Sequence, residues 1–505
     1  MILAASNQSA SRTRSILLIV IGVVLALALS VGQALSPKWA TAALVAMLLT
    51  TLAVCKMEAA IVFFTLTVFM IIGPLVAVTG RFGHADGIYS SEFMLGLLAL
   101  VWGARLVFLA IRNKRFPLND SPINLPLFCL IGTAIFAFIA AQFTWDVNVP
   151  TEHKYLVRQL TEIGLLCMPI TVYLMVSSTI KDVRWAKAVY YAVLAVGVVG
   201  FLMCSSILRT PGFLRPQWRG LLPVPLISFL YAYVILRDKF DLKLLMVGTA
   251  LAVLLIFQFT GLEWAVMWLS TGVSLCVISW YKSKPLSIGL ACVVVVLLAL
   301  QPGFLTGIYE TESASRSFER IDLWSSIVRI TMTRPLWGIG PGNFYPYYSY
   351  RYALEYGTIN VSSPHSNYFQ ILIEYGFPGL ICFVWFIIAC LKMLKNSLDL
   401  AKDNWEKTFL LGVNGHFAGM VVIAFLADYL IPTSANGGLA TFSITVYTWL
   451  LLGVAASLRT HLLREKAAGE PAPNAPVAPK PGAAAVRAQS SGWTPSGAAQ
   501  KGTSY

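Results

Sequence analysis

Charge is what this chain most lacks. Asp, Glu, Lys and Arg make up 12% of its 505 residues, where water-soluble chains carry about 25%. Hydrophobic residues reach 57% and the mean hydropathy is +0.72, which excludes a soluble domain and makes the bilayer the solvent. Cysteine is missing from the longest polar stretch: all eight (Cys55, Cys129, Cys167, Cys204, Cys276, Cys292, Cys382 and Cys390) lie in or at the end of apolar runs. That excludes a disulfide framework and a cysteine metal site. The net charge of +14 is no nucleic-acid signal, because the Lys and Arg sit in short clusters between apolar runs, as orientation signals do.

Long apolar runs are abundant. A hydrocarbon core about 30 Å thick takes roughly 20 residues to cross at about 1.5 Å each. Qualifying segments fall near 15–35, 39–55, 59–79, 93–111, 123–143, 160–178, 186–206, 221–236, 244–261, 264–281, 286–307, 378–394, 409–431 and 439–458. The first follows Arg12 and Arg14 but exceeds a signal-peptide core, and reads as a retained helix. The expectation is an all-α polytopic membrane protein with about fourteen transmembrane helices, twelve being the alternative count.

Fourteen spans put every basic cluster on one side, from Arg12 and Arg14 through Lys56, Arg112, Lys181, Arg237, Lys282 and Lys392 to Arg459. By the positive-inside rule that side is cytoplasmic and holds both termini. The chain divides into an N-terminal bundle at 1–307, a large outer loop at 308–377, C-terminal helices at 378–465 and a Pro- and Ala-rich tail at 466–505, expected to be disordered. Arg158, Arg209, Arg215 and Arg219 stand on the outer side against the trend, which points to an anionic ligand.

A loop of about 70 residues needs structure of its own. Ser315 to Thr333 spaces Phe318, Ile321, Leu323, Trp324, Ile327, Val328 and Ile330 as an amphipathic helix on the membrane surface. A turn follows with Gly338, Gly340 and Gly342; no strand precedes it, so it is not a dinucleotide fingerprint. Six tyrosines between 345 and 356 suit either sugar stacking or an interfacial aromatic belt. Pro364 then pre-sets a helix start with His365 in its first turn, where an imidazole can act as a general base; a merely solvated histidine is the plain alternative.

The order Arg320-x-x-x-Trp324, Pro335-x-x-Gly338-x-Gly340-x-Gly342-x-Phe344 and Pro364-His365-Ser366-Asn367-x-x-x-Gln370-x-x-x-Glu374-x-Gly376-x-x-Gly379 resembles the O-antigen ligase and polymerase superfamily. The resemblance covers about 65 residues of the outer loop. It implies a membrane-embedded, GT-C-like glycosyltransferase in a bacterial inner membrane. Such an enzyme works on the periplasmic face without metal or other cofactor, in lipopolysaccharide or surface polysaccharide synthesis. The implied partners are an undecaprenyl-diphosphate-linked glycan donor and an acceptor hydroxyl on a glycan, a lipid A core or a protein, with no nucleic acid.

Carried over by motif, His365 would activate the acceptor hydroxyl and Arg320 would lie near the diphosphate, with Asn367 and Glu374 in support. A sugar hydroxyl needs a base, and arginine's planar fork suits phosphate oxygens. The sequence departs from the family at Thr260-Gly261-Leu262-Glu263, where Glu263 stands in place of an expected arginine. Arg215 or Arg219 could carry that load, and Glu263, an acid at membrane depth, could pair with an outer arginine. A transporter and a non-catalytic assembly partner are the competing readings; no clear internal repeat favours the transporter.

Overall fold

The computed structural model describes residues 37–69, 76–77, 87–88, 90–114, 116–150, 155–205, 221–261, 265–300, 319–352, 363–434 and 441–469. Helices dominate: α1 Pro37–Cys55, α2 Met57–Thr67, α3 Ser90–Asn113, α4 Asn124–Phe143, α5 Tyr155–Thr179, α6 Val183–Cys204, α7 Pro223–Leu236, α8 Leu242–Gly261, α9 Ala265–Lys282, α10 Lys284–Leu300, α11 Glu319–Thr333, α12 Phe344–Tyr347, α13 Asn367–Leu400, α14 Asn404–Leu426 and α15 Phe442–Gly469. Two two-residue strands, Val76–Ala77 and Gly87–Ile88, pair antiparallel. A π-helical turn, Tyr348–Tyr352, follows α12.

Among the described residues, seven helices are long and apolar enough to cross a membrane: α3, α4, α5, most of α6, α13, α14 and most of α15. Shorter apolar helices add Ala43–Cys55, Met57–Thr67, Pro223–Leu236, Leu242–Phe257 and Lys284–Val293. The protein is therefore a multi-pass, helical membrane protein. The expected first span at 15–35 lies outside the described residues. Helix α15 continues to Gly469, past the boundary expected at residue 465, and residues 470–505 also fall outside the description.

Local chemistry explains several helix starts. Pro223 opens α7, where a missing N–H costs nothing. Asp403 and Glu406 form a capping box on α14, each satisfying the other's orphan backbone donor. Apolar stripes along α1 to α7 and α13 to α15 meet in one buried core. At its centre Trp449 stacks on Phe386 at 5.1 Å and donates its indole N–H to the Leu430 carbonyl at 2.9 Å. Inside this water-poor core hydroxyl pairs link helices, as between Ser228 and Ser274 at 2.7 Å. The seven cysteines with described side chains are all free thiols.

Helix α13 is two helices in sequence. Gly376 sits at φ +70° and interrupts the helical backbone, so that Asn367–Tyr375 forms a short helix before the apolar stretch from Phe377 onward. Exposed apolar residues then recur at Phe377, Ile381, Val384, Trp385 and Ile388, the spacing of a lipid-facing stripe.

Candidate functional site

The glycine turn and the short helix Asn367–Tyr375 are built around each other. A helix that stops at Gly376 leaves its last carbonyls without intrahelical partners. The turn supplies them: Ile339 N–H donates to the Ile373 carbonyl at 2.9 Å and Gly340 N–H to the Glu374 carbonyl at 3.0 Å. In return Phe377 N–H donates to the Pro335 carbonyl at 2.9 Å. Close backbone contact explains the glycines on both sides. Gly338 has φ +65° and a Cβ there would collide with the Ile373 carbonyl, while a Cβ on Gly376 would lie 2.6 Å from the Pro335 oxygen. Two motifs separated by 19 residues, 345–363, are thus one interlocked piece of backbone.

Helix α11 joins this piece from the other side. Leu323, Ile327 and Ile330 are buried, in one cluster with Ile339, Phe344, Tyr347, Tyr348 and Ile373. Trp324 stacks on Phe369 at 4.8 Å and donates its indole N–H to the Pro364 carbonyl at 3.1 Å. Arg320 occupies the helical position one turn before Trp324; its side chain lies outside the described residues.

His365 does not sit in a helix. The expectation that it occupies a first helical turn is corrected: α13 begins at Asn367, and His365 precedes it at φ +50°. Side-chain hydrogen bonds hold this bend. Its N–H donates to Ser363 Oγ at 3.0 Å, and the Ser363 hydroxyl donates to Asp428 Oδ2 at 2.5 Å. Ser363 and Asp428 are both fully buried, whereas His365 is half-buried. The histidine is therefore displayed on a left-handed bend anchored to α11 through Trp324 and to the end of α14 through Asp428.

Asn367, expected to support the chemistry, is occupied structurally. Its Nδ2 donates to the Ile431 carbonyl at 2.7 Å, and its Oδ1 accepts from Leu430 N–H at 3.0 Å and Ile431 N–H at 3.2 Å. Glu374 is completely buried one turn after Gln370, whose amide donates to Oε1. Among the described residues no donor meets its Oε2 at hydrogen-bond geometry, and the Gly342 N–H is the backbone group that acts on the carboxylate.

Glu162 belongs with these groups and was not singled out in the sequence. It lies in α5, is buried, and accepts from Ser434 N–H at 3.0 Å. Asp428 and Arg158 are within electrostatic reach of both Glu162 and Glu374. The signal was present: Arg158 and Glu162 are four residues apart at the start of an apolar helix. A relay of amides runs alongside. Gln142 donates to Gln159 at 2.7 Å, Gln159 to Asn343 at 3.0 Å, and Asn343 to the Ile339 carbonyl at 2.8 Å. This ties the glycine turn to α4 and α5.

The tyrosine run divides by role. Tyr347 and Tyr348 are buried packing residues, and Tyr350 is exposed. The Tyr347 hydroxyl accepts from Arg334 at 2.7 Å and from Asp146 N–H at 3.0 Å. Burial pushes that phenol's pKa up, and the Arg334 charge opposes the shift. Arg215, Arg219 and Glu263 lie outside the described residues. Among the described residues no three His, Cys, Asp or Glu side chains converge as a metal-binding group.

The fold and this site define a polytopic helical membrane protein in which a structured loop, a helix break and the ends of α4, α5 and α14 converge on one polar region. A family model described as O-antigen ligase matches residues 244–384, a segment that holds α11, the glycine turn, His365 and Glu374, and places that segment in the O-antigen ligase and polymerase superfamily. None of the curated proteins matches the chain.

Proposed function

We propose that the protein is an O-antigen ligase-like, GT-C-type glycosyltransferase of about fourteen spans. It moves a glycan from undecaprenyl diphosphate to an acceptor hydroxyl on the periplasmic face of a bacterial inner membrane. The observation that carries this reading is His365, half-buried on a bend whose backbone is held by Trp324, Ser363 and Asp428, inside the segment matched by the family model. A base of fixed position suits an acceptor hydroxyl, whose proton must leave as the new C–O bond forms. The bond that breaks joins the anomeric carbon to the diphosphate, and the electron pair departs with the lipid diphosphate. Arginine stabilises that growing charge; Arg320 takes this role, with Arg215 and Arg219 in support. The reaction needs no metal in this reading. Ligation to a lipid A core and polymerisation of repeat units share the chemistry and differ in the acceptor.

The test is glycan transfer in liposomes holding purified protein and a polyprenyl-diphosphate glycan. His365→Ala should lower kcat by a factor of about 100 or more while the donor KM stays put. Arg320→Ala should weaken the donor's apparent affinity or its turnover. Full activity of His365→Ala sinks the base assignment, and activity on lipid A core against a growing glycan separates ligase from polymerase.

A further inference from the structure

The inward face of α11 is accounted for by Leu323, Ile327 and Ile330, yet its opposite edge is apolar as well. Val328 is 40% exposed and Met332, one turn later, 64%; just beyond the helix Leu336 is 58% exposed. A water-facing helix has no physical reason to place large apolar side chains at i and i+4 on its outer edge.

This edge continues another surface. Phe377 N–H bonds to the Pro335 carbonyl, so Leu336 and Phe377 are brought together where the loop meets α13. From Phe377 the exposed apolar residues run on through Ile381, Val384, Trp385 and Ile388. Eleven residues of helix span about 16 Å at about 1.5 Å each, so with Phe377 at the boundary of an apolar core about 30 Å thick, Ile388 lies near the bilayer midplane. Met332 and Val328 carry exposed apolar surface back from Leu336 along α11. Arg329, next to Val328 in the chain, is exposed as well.

We propose that α11 is sunk by its outer edge into the membrane, with Val328, Met332 and Leu336 among the acyl chains of bilayer phospholipids just below the headgroups. The continuous stripe on α13 identifies the occupant as lipid rather than a protein partner, because that stripe already requires a bilayer around it. The consequence is positional. Trp324, on the same helix, holds the Pro364 carbonyl beside His365, so the contact fixes the depth of that bend at the headgroup layer, where the phosphates of any lipid-linked substrate lie. The anchoring does not depend on the assigned chemistry, and its test does not use activity.

An environment-sensitive fluorescent amino acid at position 332, with position 328 as a second site, is read in phosphatidylcholine vesicles containing the full-length protein. Phosphatidylcholine spin-labelled near the top of the acyl chain quenches from the lipid side and iodide from water. A probe at Ile388 marks the lipid-facing stripe, and one at Val147, 94% exposed on the α4–α5 connection, marks the aqueous phase. Blue-shifted emission at 332 and 328, quenched several-fold more by the shallow spin label than by iodide, is the expected result. Iodide quenching equal to that at Val147 overturns the proposal. Resistance to both quenchers also overturns it, since the edge would then be covered by protein.

Discussion

Replacing Asn367 by alanine separates a structural tie from a catalytic helper. Its amide meets three backbone groups, the Leu430 and Ile431 N–H and the Ile431 carbonyl, at 3.0, 3.2 and 2.7 Å. Asn367, Leu430 and Ile431 are 1%, 0% and 5% exposed, so water does not reach the vacated positions freely. A buried polar group left without its partner costs about 1–3 kcal/mol. Three such groups, with one regained by an intruding water, put the loss at about 2–6 kcal/mol. Equilibrium unfolding in mixed micelles, followed by tryptophan fluorescence, reads it directly, since Trp449 donates to the Leu430 carbonyl in the same segment. Loss of glycan transfer with stability changed by less than about 1 kcal/mol would refute the reasoning and return Asn367 to the chemistry.

Gly376→Ala should destabilise by about 2–5 kcal/mol, from a left-handed φ and a Cβ 2.6 Å from the Pro335 oxygen; the measurement is the same unfolding titration, and a neutral result would mean the break is not needed. Tyr347→Phe removes the acceptor shared by Arg334 and Asp146 N–H and should cost about 1–3 kcal/mol, with faster hydrogen exchange at the Asp146 amide as its signature. Ser363→Ala should lower kcat for transfer without moving the donor KM, because it frees the backbone of His365, and Ser363→Thr should restore it; equal loss in both variants would assign Ser363 a packing role instead.

The helical, membrane-spanning character was legible because a 20-residue apolar run has few other fates, and a composition with 12% charge leaves no soluble alternative. The loop motifs were legible as a spaced series, and of the helix expected from its apolar period over Ser315–Thr333 the described part, Glu319–Thr333, is helical. Their purpose was not. Gly338 and Gly376 are 38 positions apart, and nothing local says that each makes room for the other's neighbouring carbonyl. The tyrosines read equally as sugar platform or membrane belt, and packing put Tyr347 and Tyr348 inside instead.

What the sequence by itself determined is the solvent, the helices and the residue types around His365, all of which depend on local composition and period. What only the tertiary structure decided is which distant groups meet. His365 is held on its left-handed bend by Ser363, which accepts its N–H and is itself tied to a carboxylate 65 residues away. Glu162 joins Glu374 because the start of α5 and the break in α13 meet at the same polar region. Hydrogen bonds and charges act over a few ångströms in space without regard to separation along the chain, so partners such as Asp428 carry no mark in the local pattern.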